Sequence, residues 1–354
     1  MSQTEKEPLL VLLDTEEEYT LLFSDFLKRH RDLPWTVRSY TDEKELRNSE
    51  KDRKASLLVV AESSYREDAP VMDADRTVIL AERGRWCSGD LPVVDKYSPA
   101  EDVLARLLEI YMEIGGEYAG GSARSTGTRF IGLYTPVHRA LQSTFALTLG
   151  QMLAEHHRVL YLSFEHYAGL RELVPETQQK DLADLMFFLL SDEQRFFLRF
   201  QTIKKSIAGL DYIPPMKSGQ NLLTIPGGEW LRLMDQIRAM GTYDFVLMDL
   251  SESMQGLFDV MRKCEKIYTM SREDRISRSK LLQYEQVLEL YEYDDVLRKT
   301  KRFDLPKFHR IPTDVDQYTR GDLAEYVRGT IREIRRSKEE SEQEEGEGKW
   351  NMQS

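Results

Sequence analysis

The chain has 354 residues, of which 41% are hydrophobic and 31% are charged, and it carries a formal net charge of −12. This length predicts two or three domains, and the composition is typical of a soluble globular protein with a sizeable core. The acidic charge argues against nucleic-acid binding and anionic-membrane binding, because both need a basic surface. No apolar run approaches the roughly 18 residues of a membrane span. We therefore expect a cytoplasmic protein without a transmembrane segment.

The first part of the chain, residues 9 to 114, alternates strand-like apolar runs with helical patterns. The predicted strands are 9–13, 35–40, 56–61, 77–81 and 93–94, and the predicted helices are 16–29, 41–47 and 99–111. Such an alternation predicts a parallel sheet with helices on both faces.

The order and length of these elements resemble the receiver domain of two-component response regulators. In that family an acidic pair follows the first strand, a phospho-accepting Asp ends the third strand and a Lys ends the fifth. Asp14 and Lys96 match the first acid and the Lys, and Glu16 is a candidate second acid. The third strand ends at Ala61 and Glu62, so the Asp nucleophile that aspartyl phosphate requires is absent. The resemblance implies a pseudo-receiver that serves as an interaction module, and we favour a structural ion pair between Asp14 and Lys96.

A stretch rich in Gly, Ser and Thr, residues 115–128, is the best domain boundary in the chain. It separates a first domain, residues 1–114, from a second domain, residues 129–337. The last residues, 338–354, are acidic and of low complexity, so we expect disorder there.

The second domain repeats the alternation of strands and helices. The predicted strands are 130–134, 158–164, 221–225, 243–250, 266–270 and 301–305, and the predicted helices are 145–155, 182–190, 193–203, 227–240, 274–291 and 320–336. The pattern again favours a parallel α/β sheet.

The first strand of this domain, its loop and a helix capped by Ser143 and Thr144 form the frame of a phosphate-binding P-loop. The motif requires Gly-x-x-x-x-Gly-Lys followed by Ser or Thr, but Leu141 and Gln142 stand where the last Gly and the Lys belong. Loss of the Lys removes positive charge from the transition state of phosphoryl transfer, so we expect no hydrolysis. Nucleotide binding is weakened but not excluded, because the helix N-terminus still offers free N–H groups.

The loop, Arg-Val-Leu-Tyr-Leu-Ser-Phe-Glu at 158–165 and Tyr-Asp-Phe-Val-Leu-Met-Asp-Leu at 243–250 resemble the MinD/ParA group of deviant Walker ATPases. A receiver-like domain fused to that fold is the layout of the TadZ/CpaE family, which positions tight-adherence (Flp) pilus machinery. The resemblance implies an α/β protein with two doubly wound parallel-sheet domains. The first is receiver- or flavodoxin-like, and the second resembles a deviant-Walker P-loop NTPase.

The family's loop, Lys-Gly-Gly-x-Gly-Lys-Thr, falls on residues 137–143, where both lysines and all glycines are replaced. The resemblance implies that Ser143 and Asp249 are the candidate Mg²⁺ ligands and that Glu165 substitutes for the Asp that holds the attacking water. Glu165 and Asp249 are the catalytic candidates if the protein is active. The candidate residues for nucleotide phosphate binding are Arg139, Gln142, Ser143 and Thr144.

The motifs leave two main functions and a third hypothesis open. The first is a non-catalytic scaffold or localisation factor for pilus assembly, which requires no cofactor and is recruited to the membrane or pole by protein partners. The alternative is an ATP-dependent dimerising switch with weak ATPase activity that binds ATP and Mg²⁺. A third hypothesis, an ordinary response regulator, requires phosphorylation of the first domain. The first two differ in whether the 135–143 loop is an open cradle or is filled by its own side chains.

Overall fold

A computed structural model describes most of the chain as two compact units. The described residues are 8–30, 33–51, 53–82, 90–116, 127–138, 140–174, 180–191, 195–329 and 331–332. The first unit contains the described residues up to 116 together with those between 187 and 203, and the second unit contains the rest. The predicted acidic tail, Arg139 and most of the predicted linker lie outside the described residues. Within the described part, no helix combines the length and apolar character needed to cross a bilayer.

The first unit is built on a five-stranded parallel sheet in the order β2-β1-β3-β4-β5. The strands are β1 (Leu9–Leu13), β2 (Thr36–Tyr40), β3 (Ala55–Ala61), β4 (Ala74–Ala81) and β5 (Val93–Asp95), and the helices are α1 (Glu17–Arg29), α2 (Glu43–Ser49) and α3 (Ala100–Glu113). This strand order is that of the flavodoxin-like doubly wound sheets. Every strand and helix predicted in this part is present, with ends shifted by three residues or fewer.

The two faces of this sheet are covered unequally. On one face, α1 and α3 pack with a helix from much later in the chain, Phe196–Ile203, which contributes the buried Leu198 to the same hydrophobic cluster. On the other face, α2 contributes Leu46, and the cluster is completed by residues of the β3–β4 connection such as Val71. The predicted domain boundaries place residues 187–203 in the second domain, whereas here they belong to the first unit.

The second unit is built on a seven-stranded sheet in the order β12-β11-β6-β10-β7-β9-β8. All its strand pairs are parallel except β8 with β9, which form an antiparallel hairpin. The strands are β6 (Arg129–Leu133), β7 (Val159–Ser163), β8 (Lys205–Ile207), β9 (Leu210–Tyr212), β10 (Phe245–Asp249), β11 (Lys266–Ser271) and β12 (Thr300–Asp304). The central strands β10 and β7 are mainly apolar and buried, and each ends in a polar residue, Asp249 and Ser163, whereas β6 begins with Arg129 and is apolar from Phe130 to Leu133.

The helices after β6 in the chain are α4 (Gln142–Ala154), α5 (Leu170–Leu173), α6 (Leu182–Ser191), α7 (Phe196–Ile203), α8 (Gln220–Thr224), α9 (Gly227–Met240), α10 (Leu257–Lys263), α11 (Arg275–Leu290) and α12 (Asp294–Arg298). Of these, α7 and the second half of α6 belong to the first unit, and the others belong to the second. Residues 322–329 and 331–332 are also helical. On one face, Phe145 and Leu149 of α4 pack with Leu247 of β10 and with Val327 in a single buried cluster.

Two expectations from the sequence are wrong in this unit, and some of its elements were not predicted. Residues 221–225, predicted as a strand, lie mostly in helix α8, where Leu222 is the buried residue of the helix. The helix after the loop does not begin with Ser143 and Thr144 as caps. It begins at Gln142, and its N-cap is Leu141 in the left-handed conformation. The β8–β9 hairpin and helices α10 and α12 were not predicted.

Candidate functional site

The candidate site lies at the carboxyl ends of three neighbouring parallel strands, β6, β10 and β7. Asp249 is the last residue of β10, and its register partners are Leu133 on β6 and Ser163 on β7. The loop that follows β6 returns to the same edge of the sheet at the start of α4, and Glu165 follows β7 by two residues. Ligands of open α/β sheets bind at such an edge, outside the carboxyl ends of the strands.

Gln142, the first residue of α4, is the centre of the hydrogen-bond network at this edge. Its Nε2 donates to Asp249 Oδ1 at 2.6 Å and to the carbonyl oxygen of Leu250 at 2.9 Å, and lies 3.3 Å from Glu165 Oε1. All three neighbours are acceptors, so the amide nitrogen and not the amide oxygen must face them. The side chain is buried and therefore satisfies two acceptors that would otherwise be stranded.

Asp249 is completely buried and accepts hydrogen bonds on both carboxylate oxygens. Gln142 donates to Oδ1, and the hydroxyl of Tyr161 donates to Oδ2 at 2.8 Å. Burial raises the pKa of Asp249, and hydrogen bonds from Ser143, Gln142 and Tyr161 oppose that rise. Tyr161 was not identified from the sequence. The available signal was a hydroxyl-bearing aromatic residue in the middle of a buried aliphatic strand, which needs a polar partner inside the protein.

Glu165 is half-buried and is the second carboxyl group of the site. Its pKa is raised to about 7, mainly because the carboxyl group is buried and in smaller part because of the negative charges of Asp249 and Glu252. His138 of the loop lies with its Nε2 3.4 Å from Glu252 Oε1. The site thus brings together acidic groups, and no Lys or Arg side chain among the described residues forms an ion pair with Glu165 or Asp249.

The loop between β6 and α4 is held by its own side chains. Thr135 Oγ1 donates to the carbonyl oxygen of Met270 at 2.6 Å and accepts the N–H of Val137 at 3.1 Å. Val137 and Ala140 are buried. Leu141 has a φ of 58°, a conformation that costs a residue with a side chain about 1–2 kcal/mol relative to glycine. These contacts fill the loop from within.

A cavity of about 1000 Å³ lies beside this loop. It is bordered by loop residues and by the carboxyl ends of β11 and β12. The lining residues are Ala140, Leu141, 271–274, 304–309 and Ile311. They include side chains of both charge signs, such as Arg272, Lys307 and Asp304, together with apolar ones.

The residues at the strand ends do not fit a nucleoside triphosphate with Mg²⁺ in this conformation. Asp249 is completely buried, and each of its oxygens already accepts one hydrogen bond from the protein, so only the remaining lone pairs could face a metal ion. Gln142 stands in place of the phosphate-binding Lys, and its amide points at the carboxylates. What remains for an anion is the first turn of α4, with Ser143, the half-buried Thr144 and free N–H groups. Among the described residues, no group of His, Cys, Asp and Glu is arranged to hold a metal ion.

The predicted remnant in the first unit is an ion-pair cluster in which Asp14 and Lys96 are buried and Glu16 is exposed. Lys96 Nζ lies 2.7 Å from Asp14 Oδ2 and 2.7 Å from Glu16 Oε2. Burial lowers the pKa of Lys96, but the hydrogen bonds to Asp14 and Glu16 outweigh it, and the net direction is upward. The strand beside β1 ends at the buried Ala61, so no carboxylate stands at the end of β3 itself.

No protein-family model and no curated protein sequence matches this chain. Its structural neighbours include the MinC:MinD cell division protein complex of Aquifex aeolicus, at 15% identity over 49% of this chain and 67% of that chain, with a TM-score of 0.38. A ParA family ATPase of Chlorobium tepidum matches at 16% identity over 54% and 80%, with a TM-score of 0.41. Cobyrinic acid a,c-diamide synthase of Mycobacterium smegmatis with bound ADP and magnesium matches at 15% identity over 54% and 79%, with a TM-score of 0.39. The neighbours thus include MinD and ParA family proteins that match about half of the chain, and similarities this low transfer no ligand or activity to it.

Proposed function

We propose that this chain is a non-catalytic, MinD/ParA-like scaffold or localisation factor that acts through protein–protein contacts. One observation carries the proposal. The side chain of Gln142 occupies the position of the phosphate-binding Lys and donates to Asp249 and Leu250. The hydrogen-bond acceptors at the carboxyl end of the sheet are thereby paired with a neutral donor of the protein, without a cation.

The chemistry of the neighbouring groups supports this proposal. A P-loop ATPase stabilises the charge that develops on the transferred phosphoryl group with a Lys and Mg²⁺. Here the nearest side chains to that position are Gln142, Glu165 and Asp249, which bring carboxyl groups and a neutral amide. Such a set repels a triphosphate. The order of the two units, with a receiver-like layout first, extends the proposal to Flp/Tad-type pilus assembly, with partners that recruit the protein to the membrane or pole.

The proposal is tested by phosphate release from ATP and Mg²⁺, measured with the full chain and with the Asp249→Ala variant. We expect the same background rate for both, because neither contains a group that compensates the transition-state charge. Turnover by the unmodified chain that disappears in Asp249→Ala would contradict the proposal. The Lys28→Glu variant, changed at an exposed position of α1, controls for contaminating ATPases.

A nucleotide-responsive dimerising switch is the second candidate function, and the cavity of about 1000 Å³ beside the loop favours it. In this function a nucleoside occupies the cavity, and rotation of Gln142 away from Asp249 exposes the first turn of α4 to the phosphates. Titration calorimetry with ATP and Mg²⁺ separates the two functions. Binding at submillimolar concentration that is strengthened by Gln142→Lys supports the switch, because a Lys restores a charge-assisted bond to phosphate. Absence of binding at millimolar nucleotide supports the scaffold.

A further inference from the structure

Helix α11 carries three large aliphatic side chains on its exposed surface. Its buried residues recur at intervals of three and four on the inner face: Ser277, Leu281, Tyr284 and Leu288. On the opposite side, Ile276 is 69% exposed, Leu282 is 56% exposed and Leu290 is 74% exposed. These three side chains form the apolar part of the outer surface of α11.

The outer face has the spacing of a helix–helix seam. Positions three and four residues apart lie on one stripe of a helix. Ile276, Ser279, Gln283, Gln286 and Leu290 follow that spacing, and all five are exposed. Leu282 lies beside the stripe at its midpoint. The two ends of the seam are therefore apolar, and its middle is polar with one leucine at the border.

Charge is divided between the two halves of α11. The first six residues contain Arg275, Arg278 and Lys280, whereas the acidic residues, Glu285 and Glu289, lie in the last six. Glu285 pairs with Arg302 of β12. Arg275 and Glu289 are exposed, and neither forms an ion pair with any described residue. One half of the surface is thus complementary in charge to the other half.

We propose that α11 is a contact surface for a second copy of this chain, with the two α11 helices antiparallel about a two-fold axis near Leu282 and Gln283. In that arrangement Ile276 of each copy packs against Leu290 of the other, and Arg275 of each copy faces Glu289 of the other. A parallel pairing would place like charges together. A surface whose halves complement each other is the signature of an isologous interface, in which the same patch serves both subunits. The inference does not depend on whether the loop binds nucleotide.

The expected dimer is weak and sensitive to salt. A helix of 16 residues is about 24 Å long, so one pair of helices lies at the small end of specific interfaces. The seam is also polar at its centre. We expect a dissociation constant on the order of micromolar to tens of micromolar, and weaker association at high ionic strength because the two charge pairs lie at the rim.

The test uses charge reversal in the full chain, followed by sedimentation velocity over a concentration series at low and high salt. Arg275→Glu and Glu289→Arg each turn both inter-copy pairs from attractive to repulsive. We expect each variant to weaken self-association about tenfold. A mixture of the two variants restores both attractive pairs, so the mixed sample should dimerise as well as the unmodified chain. Lys28→Glu, the same change at an exposed position of α1, should leave association unchanged.

Recovery of the association in the mixture shows that Arg275 of one copy faces Glu289 of the other, and a dimer as the largest species in sedimentation distinguishes the two-fold arrangement from a head-to-tail chain. The inference is overturned if the unmodified chain stays monomeric at several hundred micromolar and low salt. It is equally overturned if both reversals leave the dimer intact, or if the mixture associates no better than each variant alone. Circular dichroism of each variant establishes that the fold is retained.

Discussion

The ionisation of Glu165 should be measurable through the pH dependence of the stability of the protein. Its pKa is raised to about 7, above the ordinary value near 4.5, so the folded protein holds this proton more tightly than the unfolded chain does. The stability that the neutral carboxyl provides is present below about pH 4.5 and is lost as the pH rises through about 7.

We therefore expect Glu165→Gln, which is neutral at every pH, to gain stability relative to the unmodified chain between pH 5 and pH 8. The gain should be on the order of 1 kcal/mol, because the half-buried carboxyl is partly screened by water. Urea denaturation at pH 5, 6, 7 and 8 measures it, with Glu172→Gln at an exposed position as the control. If the difference in the free energy of unfolding between Glu165→Gln and the unmodified chain does not change with pH, the pKa of Glu165 is not raised by burial.

Lys96 in the first unit gives a second residue-scale prediction. Lys96→Met leaves the buried Asp14 without its cation, and uncompensated buried charges of this kind cost about 3–5 kcal/mol. Thermal or urea unfolding should show this loss, and the double variant Lys96→Met with Asp14→Asn should recover part of it. Lys54→Met is the matched control, because Lys54 pairs with Asp75 at an exposed position where such pairs contribute less than about 1 kcal/mol. Equal losses in both lysine variants would contradict the structural role of Lys96.

At the scale of the elements, the β8–β9 hairpin contains a turn with an unfavourable residue. Its two connecting residues, Ala208 and Gly209, have φ values of 48° and 81°, as in a type I′ turn. Asn is preferred at the first of these positions and tolerates the left-handed region. We expect Ala208→Asn to stabilise the chain by about 0.5–1 kcal/mol, measured by the midpoint of thermal unfolding. Gly209→Ala should act in the opposite direction, and a gain from that change would argue against this turn geometry.

The same hairpin shows why parts of the fold escape prediction from sequence. The turn Ala-Gly lacks the Asn-Gly or Asp-Gly signal, and the strands are only three residues long, so no alternation is visible. The run at 221–225 is apolar but short, and periodicity cannot separate a strand from a helix over five residues. By contrast, the long amphipathic α9 and the buried runs of β6, β7 and β10 were predicted close to their observed positions, because burial of whole strands dictates their composition.

The site, like the fold, has features that the sequence predicts and features that it does not. The meeting of Gln142, Glu165 and Asp249 was foreseeable, since parallel strands bring their carboxyl ends to one edge of the sheet. The direction of the Gln142 amide and the part played by Tyr161 depend on side-chain packing that a single sequence does not encode in any short pattern. The left-handed conformation of Leu141 could not be predicted either, because residues other than glycine rarely adopt a positive φ.

On the scale of the whole molecule, the first unit depends on a segment from the middle of the chain. Leu198 of α7 is buried in the cluster formed with α1 and α3. We expect Leu198→Ala to destabilise the first unit by about 2–5 kcal/mol, seen as faster hydrogen exchange of the amides in α3. Phe187→Ala is the control from the same segment, because Phe187 is 65% exposed. Faster exchange confined to the second unit would contradict the assignment of this segment to the first.

The strand order of the larger sheet has a consequence for synthesis on the ribosome. The central strand β6 lies between β10 and β11, and roughly 110 residues separate the end of β6 from the start of β10. At about 5–20 residues per second, translation leaves the apolar β6 without either neighbour for on the order of ten seconds. During that interval the nascent chain exposes a strand that is prone to wrong pairing, so its yield in cells should depend on holdase chaperones and on the rate of elongation.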